Sequence, residues 1–84
     1  MIVIDLDKKT IYRIRALRDM TVRTGYSGVK EVMENDIFEG QYELTLDDCL
    51  CFWINDPDQG FGEDFADAVY FPIDGIEVRE LIGV

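Results

Sequence analysis

The chain contains no histidine. That removes the most common general base, the usual pH switch and the most common metal ligand. Cysteine is nearly absent too: Cys49 and Cys51 stand one residue apart. A disulfide across one residue is strained, so both are read as reduced, buried thiols of a cytosolic domain. With no histidine and no second cysteine pair they make no zinc site. No apolar run approaches the length of a membrane span. The opening "MIVIDLDKKT" carries acids where a secretion signal carries positive charge, and it has no cleavage-type ending. It reads as the first strand of a cytoplasmic protein. Repeats, linkers and low-complexity segments are missing. "GYSG" and "GFG" are hairpin-type glycines, without the lysine and helix that complete a phosphate loop.

Positive charge is the other scarce commodity. Eight basic side chains face eighteen acidic ones, for a formal net charge of −10. The imbalance is local. Residues 1–30 hold seven basic side chains against three acidic ones, whereas residues 31–84 hold fifteen acidic side chains and Arg79 alone. Repulsion from a nucleic-acid backbone is the expectation, so no direct nucleic-acid binding is anticipated.

What is present is enough for a fold. The 84 residues, 48% apolar, predict one domain spanning 1–84 with a modest core. "IYRIRAL" alternates with period 2, setting Tyr12, Ile14 and Ala16 inward and Arg13 and Arg15 on the wet face. A short strand around Met20 to Arg23 follows and ends at Gly25 and Gly28. "SGVKEVMENDIFEG" reads two ways. Val29, Val32 and Met33 stand at helical spacing behind a capping Ser27, which gives a short helical turn over 27–34. The preferred reading is a loop, a turn at "END" and a strand "IFEGQYEL" whose pairing begins at Ile37 and Phe38, with Gly40 at a bulge or bend. "CLCFWI" is apolar on both parities, as a central strand covered on both faces would be, and Trp53 is assigned to the core. "NDPDQGFGED" breaks the chain. "FADAVYFPI" resumes it until Pro72, and "DGIEVRELI" turns into a last strand with Ile76, Val78 and Leu81 inward. The class is all-β, a small barrel of five to six strands.

The order of these features resembles a Src-homology-3-like barrel. "RALRDM" (15–20) is similar to that family's opening "ALYDY" strand, and "VMENDIFEG" (32–40) to its "KKGD" or "EGD" turn and strand. "CLCFWI" (49–54) stands where the family has its tryptophan-bearing strand. "AVYFPIDGIEV" (68–78) resembles the closing "GYIPSNYV". The resemblance covers roughly residues 13–80 and implies a barrel. It does not imply proline-rich ligands, because Arg18 and Met20 replace the opening tyrosines and "IDG" replaces "SNY". In size and composition the chain is also similar to small orphan proteins of bacteriophages and mobile elements.

The candidate site is the acidic loop between two aromatic strands. Asp56, Asp58, Glu63, Asp64 and Asp67 lie within twelve residues. Counted from Asp56, the sixth residue is Phe61 and the twelfth Asp67, so the calcium-loop pattern of glycine at six and glutamate at twelve fails. No metal or cofactor is expected. Catalysis has no support: the carboxylates lack a pocket that would raise a pKa, and the thiols lack a base. Carboxylates on a rigid β surface can instead imitate the charges of a nucleic-acid backbone. Such a protein would inhibit a host protein by occupying the basic surface of a nucleic-acid-processing enzyme. Asp47, Asp48, Asp74, Glu77 and Glu80 extend the acidic set. Phe61 and Phe65 interrupt the polar loop and are either partner anchors or a lid over the barrel end. Tyr26 in "TGYSG" has the same two readings. Two other functions compete: an assembly module that forms homo-oligomers through barrel edges, and an anionic-nucleotide sponge built on Arg13, Arg15, Arg18 and Arg23.

Overall fold

In a computed structural model, which describes residues 10–25, 28–62 and 65–80, seven antiparallel strands form one sheet. They are β1 (Ile11–Ala16), β2 (Met20–Thr24), β3 (Val29–Val32), β4 (Ile37–Leu46), β5 (Cys49–Ile54), β6 (Asp67–Pro72) and β7 (Ile76–Glu80). Two single 3-10 turns, Pro57–Gln59 and Ile73–Gly75, are the helical content of the described residues. None of these elements is a helix long and apolar enough to cross a membrane. The strand "MIVIDL", like Leu81 at the other end, lies outside the described residues.

The strand order is β3-β2-β6-β5-β4-β1-β7. Three very short links force its shape. Residues 17–19 join β1 to β2, residues 33–36 join β3 to β4, and residues 73–75 join β6 to β7. Each link connects strands four places apart in the sheet. Four strand spacings in a flat sheet come to about 19 Å, whereas the four or five residue steps of these links reach only about 14–18 Å of extended chain. The sheet must therefore curl, and all seven strands contribute to one core. Ile14, Val22, Val32, Phe38, Leu50, Phe52, Ile54, Val69, Phe71 and Ile76 are buried together. Phe52 meets Tyr12, Tyr42 and Phe71 at ring-centroid distances of 6.3, 5.9 and 6.2 Å, all near edge-to-face.

The curl stops short of closure. The terminal strands β3 and β7 do not pair with each other, so the expected closed barrel is corrected to an open, strongly curved all-β sheet. There are seven strands rather than five or six. The extra one is β3, where a helical turn had been the alternative. Its backbone pairs with β2 from Met20↔Val32 to Arg23↔Val29, and a four-residue ladder outweighs two valines at helical spacing.

The turn at "END" is as expected. Asn35 takes φ 72°, a left-handed conformation that asparagine tolerates. The Met33 N–H donates to Asp36 Oδ2 at 3.0 Å. This turn is bolted to the 17–19 link: Asn35 N–H donates to Ala16 O at 2.8 Å, Ala16 N–H to Asp36 O at 2.9 Å, and Glu34 N–H to Asp19 Oδ1 at 2.8 Å. The bulge in β4 falls between Tyr42 and Leu44 rather than at Gly40. Gly40 serves another purpose. A Cβ there would collide with the Trp53 carbonyl oxygen, so glycine permits the close approach of β4 to β5.

Candidate functional site

The acidic loop leaves β5 at Asn55 and is shaped by its own backbone. Asp56 and Phe61 exchange backbone hydrogen bonds of 2.6 and 3.0 Å, closing a small ring around the 3-10 turn. Gly60 ends the turn at φ 86°, and its N–H donates to Pro57 O. The side chain of Gln59 staples the ring to β4: its Nε2 donates to Asp56 Oδ2 at 3.1 Å and to Ile37 O at 3.3 Å.

This architecture sorts the predicted loop residues. Phe61 is 1% exposed and sits edge-on to Phe38 at 5.2 Å. It is a core residue covering the end of the sheet, the second of its two readings, and it is withdrawn from any contact surface. Asp67 is fully buried at the start of β6, opposite Ile54, and is likewise withdrawn. Asp58 is exposed and Asp56 half-buried. Phe65 is 77% exposed, which suits an anchor. Glu63, Asp64 and Tyr26 lie outside the described residues. Among the described residues no three carboxylates or thiols are grouped as metal ligands.

The wider acidic set is split. Asp47 and Asp48 form the β4–β5 hairpin tip. Asp48 O accepts from Ile73 N–H at 2.8 Å, which brings the tip beside Asp74. Asp56 and Asp58 follow the opposite end of β5. The carboxylates thus make two clusters about 20 Å apart along a six-residue strand rather than one continuous row.

The four predicted arginines do not converge. Arg13 and Arg15 share the outer face of β1, where Arg79 of β7 is paired with Arg13. These three border two open grooves of about 450 and 290 Å³ that meet at Arg13 and Ile37. Every arginine there is spanned by a carboxylate. Arg13 contacts Glu39 at 3.0 Å, Arg15 contacts Glu77 at 3.4 Å, and Arg79 contacts Glu77 at 3.2 Å. Arg15 also donates to Asn35 Oδ1 at 3.0 Å. Hydrogen bonding from Arg15 holds the Glu77 carboxyl below its ordinary pKa, with partial desolvation opposing and the charges of Arg15 and Arg79 adding. Arg18 lies at the 17–19 link and pairs with Asp74 at 3.3 Å. Arg23 lies over the Tyr70 ring at 5.5 Å.

A third surface was not anticipated as exposed. β5 is the middle strand of the sheet, yet the sheet is a single layer, so its second face turns outward. Trp53, assigned to the core, is 37% exposed. The correction has a simple cause: Leu50, Phe52 and Ile54 take the inner parity, leaving Cys49, Cys51 and Trp53 on the outer one. Cross-strand partners extend the outer face in three rows. Trp53 is flanked by Gln41 and Ala68, Cys51 by Leu44 and Tyr70, and Cys49 by Leu46 and Pro72. Leu46 is 48% exposed. Trp53 Nε1 donates to Glu43 at 2.7 Å. Both cysteines are free thiols; Cys49 is half-buried and Cys51 buried. Burial pushes the Cys51 thiol pKa up, a hydrogen bond with Tyr70 pulls it down, and the charge of Glu43 raises it. The signal for this face was already in "CLCFWI": apolar residues on both parities mark two apolar faces, and the outer one is closed over Cys51 and Ala68 and open at Trp53 and Leu46.

No protein-family model, no curated protein and no solved structure matches this chain.

Proposed function

We propose that this chain is a non-enzymatic, acidic protein-binding domain that occupies a basic surface of a partner protein. One observation carries the reading. All five described arginines are already engaged within the molecule, four with carboxylates and Arg23 with Tyr70. By contrast Glu31, Glu34, Asp47, Asp48 and Asp58 have no side-chain partner among the described residues. Lys30 is the one described cation outside these contacts, against five such carboxylates, so the field that reaches solvent is mainly that of carboxylates and the complementary partner is basic. A nucleic-acid-processing enzyme has such a surface, and an inhibitor of one, of phage or mobile-element type, is the specific form of this reading. Free Cys49 and Cys51 fit a reducing compartment, so a cytoplasmic location belongs to it as well.

The test is affinity capture from nuclease-treated bacterial lysate on the immobilised protein, eluted in salt steps. The expected result is one enriched nucleic-acid enzyme, released at moderate salt, and lost when Asp47, Asp48 and Asp58 are replaced by lysine. Capture that ignores salt and survives these reversals overturns the reading.

A second reading is self-assembly. Among the described residues, strand β3 has one edge without a pairing strand and exposes Val29 and Met33 beside it. Light scattering on a size-exclusion column would show a monomer at high concentration if this reading is wrong.

A further inference from the structure

We infer that the outer face of β4, β5 and β6, centred on Trp53, Tyr70 and Leu46, is the docking surface, and that its occupant is a protein segment presenting an apolar side chain flanked by lysine or arginine. The inference rests on the reading of a basic partner and names where that partner sits.

Three features of the face favour this occupant. The first is its anatomy. Apolar side chains fill the middle, namely Trp53, Tyr70, Leu44, Leu46, Cys49 and Pro72, and charged groups stand at the margin. That is the arrangement of a protein interface, an apolar centre inside a polar rim. The second is preorganisation. Each large aromatic is held by a rim charge: the Trp53 indole donates to Glu43 at 2.7 Å, and Arg23 stacks on Tyr70 at 5.5 Å. Side chains already fixed lose little rotamer freedom when a partner arrives. The third is the sign of the rim. Among the described residues, Glu43 beside Trp53 and the Asp47–Asp48 tip beside Leu46 set three carboxylates against Arg23, while Arg18 near the tip is held by Asp74. A second copy docked on the same face by a two-fold axis would meet these carboxylates with its own. A lysine- or arginine-flanked segment would meet them with opposite charge.

Trp53 is the sole tryptophan of the chain, so its emission reports on this face directly. The experiment titrates the full chain with two synthetic peptides, leucine flanked by lysines and leucine flanked by glutamates. Peptide binding is read independently by the anisotropy of a label. The lysine peptide is expected to shift Trp53 emission saturably, and the glutamate peptide to leave it unchanged. Leu46→Arg should weaken the lysine peptide by about tenfold or more, as loss of an anchor does. Reversal of the exposed tip by Asp47→Lys with Asp48→Lys should do the same without touching the apolar residues. Melting curves of each variant verify folding. If the lysine peptide binds by anisotropy but leaves Trp53 emission unchanged, and Asp58→Asn abolishes binding, the face is wrong while the basic-partner reading stands. If neither peptide binds, both fall. Equal binding of the two peptides overturns the charge argument. A dimer that Leu46→Arg dissociates makes the occupant a second copy and overturns the proposal.

Discussion

The two outer surfaces of the sheet solve opposite problems. On β1 and its neighbours, Arg13 and Arg15 face Glu39 and Glu77 across the strands, and Arg79 completes the ladder. Three guanidinium groups share two carboxylates there, so every arginine sits in an ion pair and the surface is largely satisfied by itself in water. On β5, two strands away in the sheet, the equivalent outward positions hold Cys49, Cys51 and Trp53. Charge is displaced to the margin, and the apolar centre is half covered by its own neighbours. The first surface gains little from a partner, because its ion pairs would have to be desolvated or broken. The second has apolar area left to bury, and burial of such area is the main source of association free energy.

The contrast can be broken most forcefully at β5 itself. Phe52 and Trp53 are adjacent in sequence and point to opposite sides. Phe52→Ala should cost about 3–5 kcal/mol in urea unfolding, since Phe52 is fully buried among other rings. Trp53→Ala, which loses a hydrogen bond on a partly exposed face, should cost about 1 kcal/mol. Equal costs would mean that the outer face is as closed as the core.

The seam between the two surfaces is β4, which pairs with β1 at Tyr12↔Gly40 and with β5 at Gly40↔Ile54. Gly40→Ala forces backbone apart there and should cost about 1–3 kcal/mol by the same measurement. A neutral result would show that the strands can separate without loss.

On the β1 side the effects should be small. A double-mutant cycle on Arg13 and Glu39, both half-exposed, should give a coupling of about 0.2–1 kcal/mol that shrinks in salt. The smallest effect is at Glu77. Its folded pKa lies below the ordinary 4.5, so its contribution is complete above that value and is lost as pH falls through the lower, folded one. Glu77→Gln should therefore flatten part of the acid limb of the stability curve by lowering neutral stability slightly, and leave stability at pH well below 4.5 nearly unchanged. An unaltered acid limb would mean that Arg15 and Arg79 do not hold this carboxylate in solution.

Where polarity alternates, the sequence was sufficient. "IYRIRA" has one possible register for its core face, and Tyr12, Ile14 and Ala16 are buried as expected while Arg13 stays outside. "END" is a turn because asparagine accepts positive φ and Asp36 can bond back to Met33. The failures came where local pattern is silent. β3 holds only four residues, and its strand character depends on β2 rather than on Val29 and Val32 themselves. Trp53 was misplaced because "CLCFWI" tells that both faces are apolar and not how many layers the sheet has. The loop was legible as a break. Which of Phe61 and Phe65 turns inward was not, because that depends on the Asp56–Phe61 ring and on Phe38, more than twenty residues earlier in the chain.

The three short links also have a kinetic meaning. The hairpins β2–β3 and β4–β5 can form from neighbouring segments, but β1 must find β7 across some sixty residues of chain, as in the pair Ala16↔Ile76. None of the links is long enough to let one half of the sheet curl before the other. Curling is therefore a single concerted search over distant contacts, and the domain should fold in about milliseconds to seconds, well short of the microsecond speeds open to helical chains of its length.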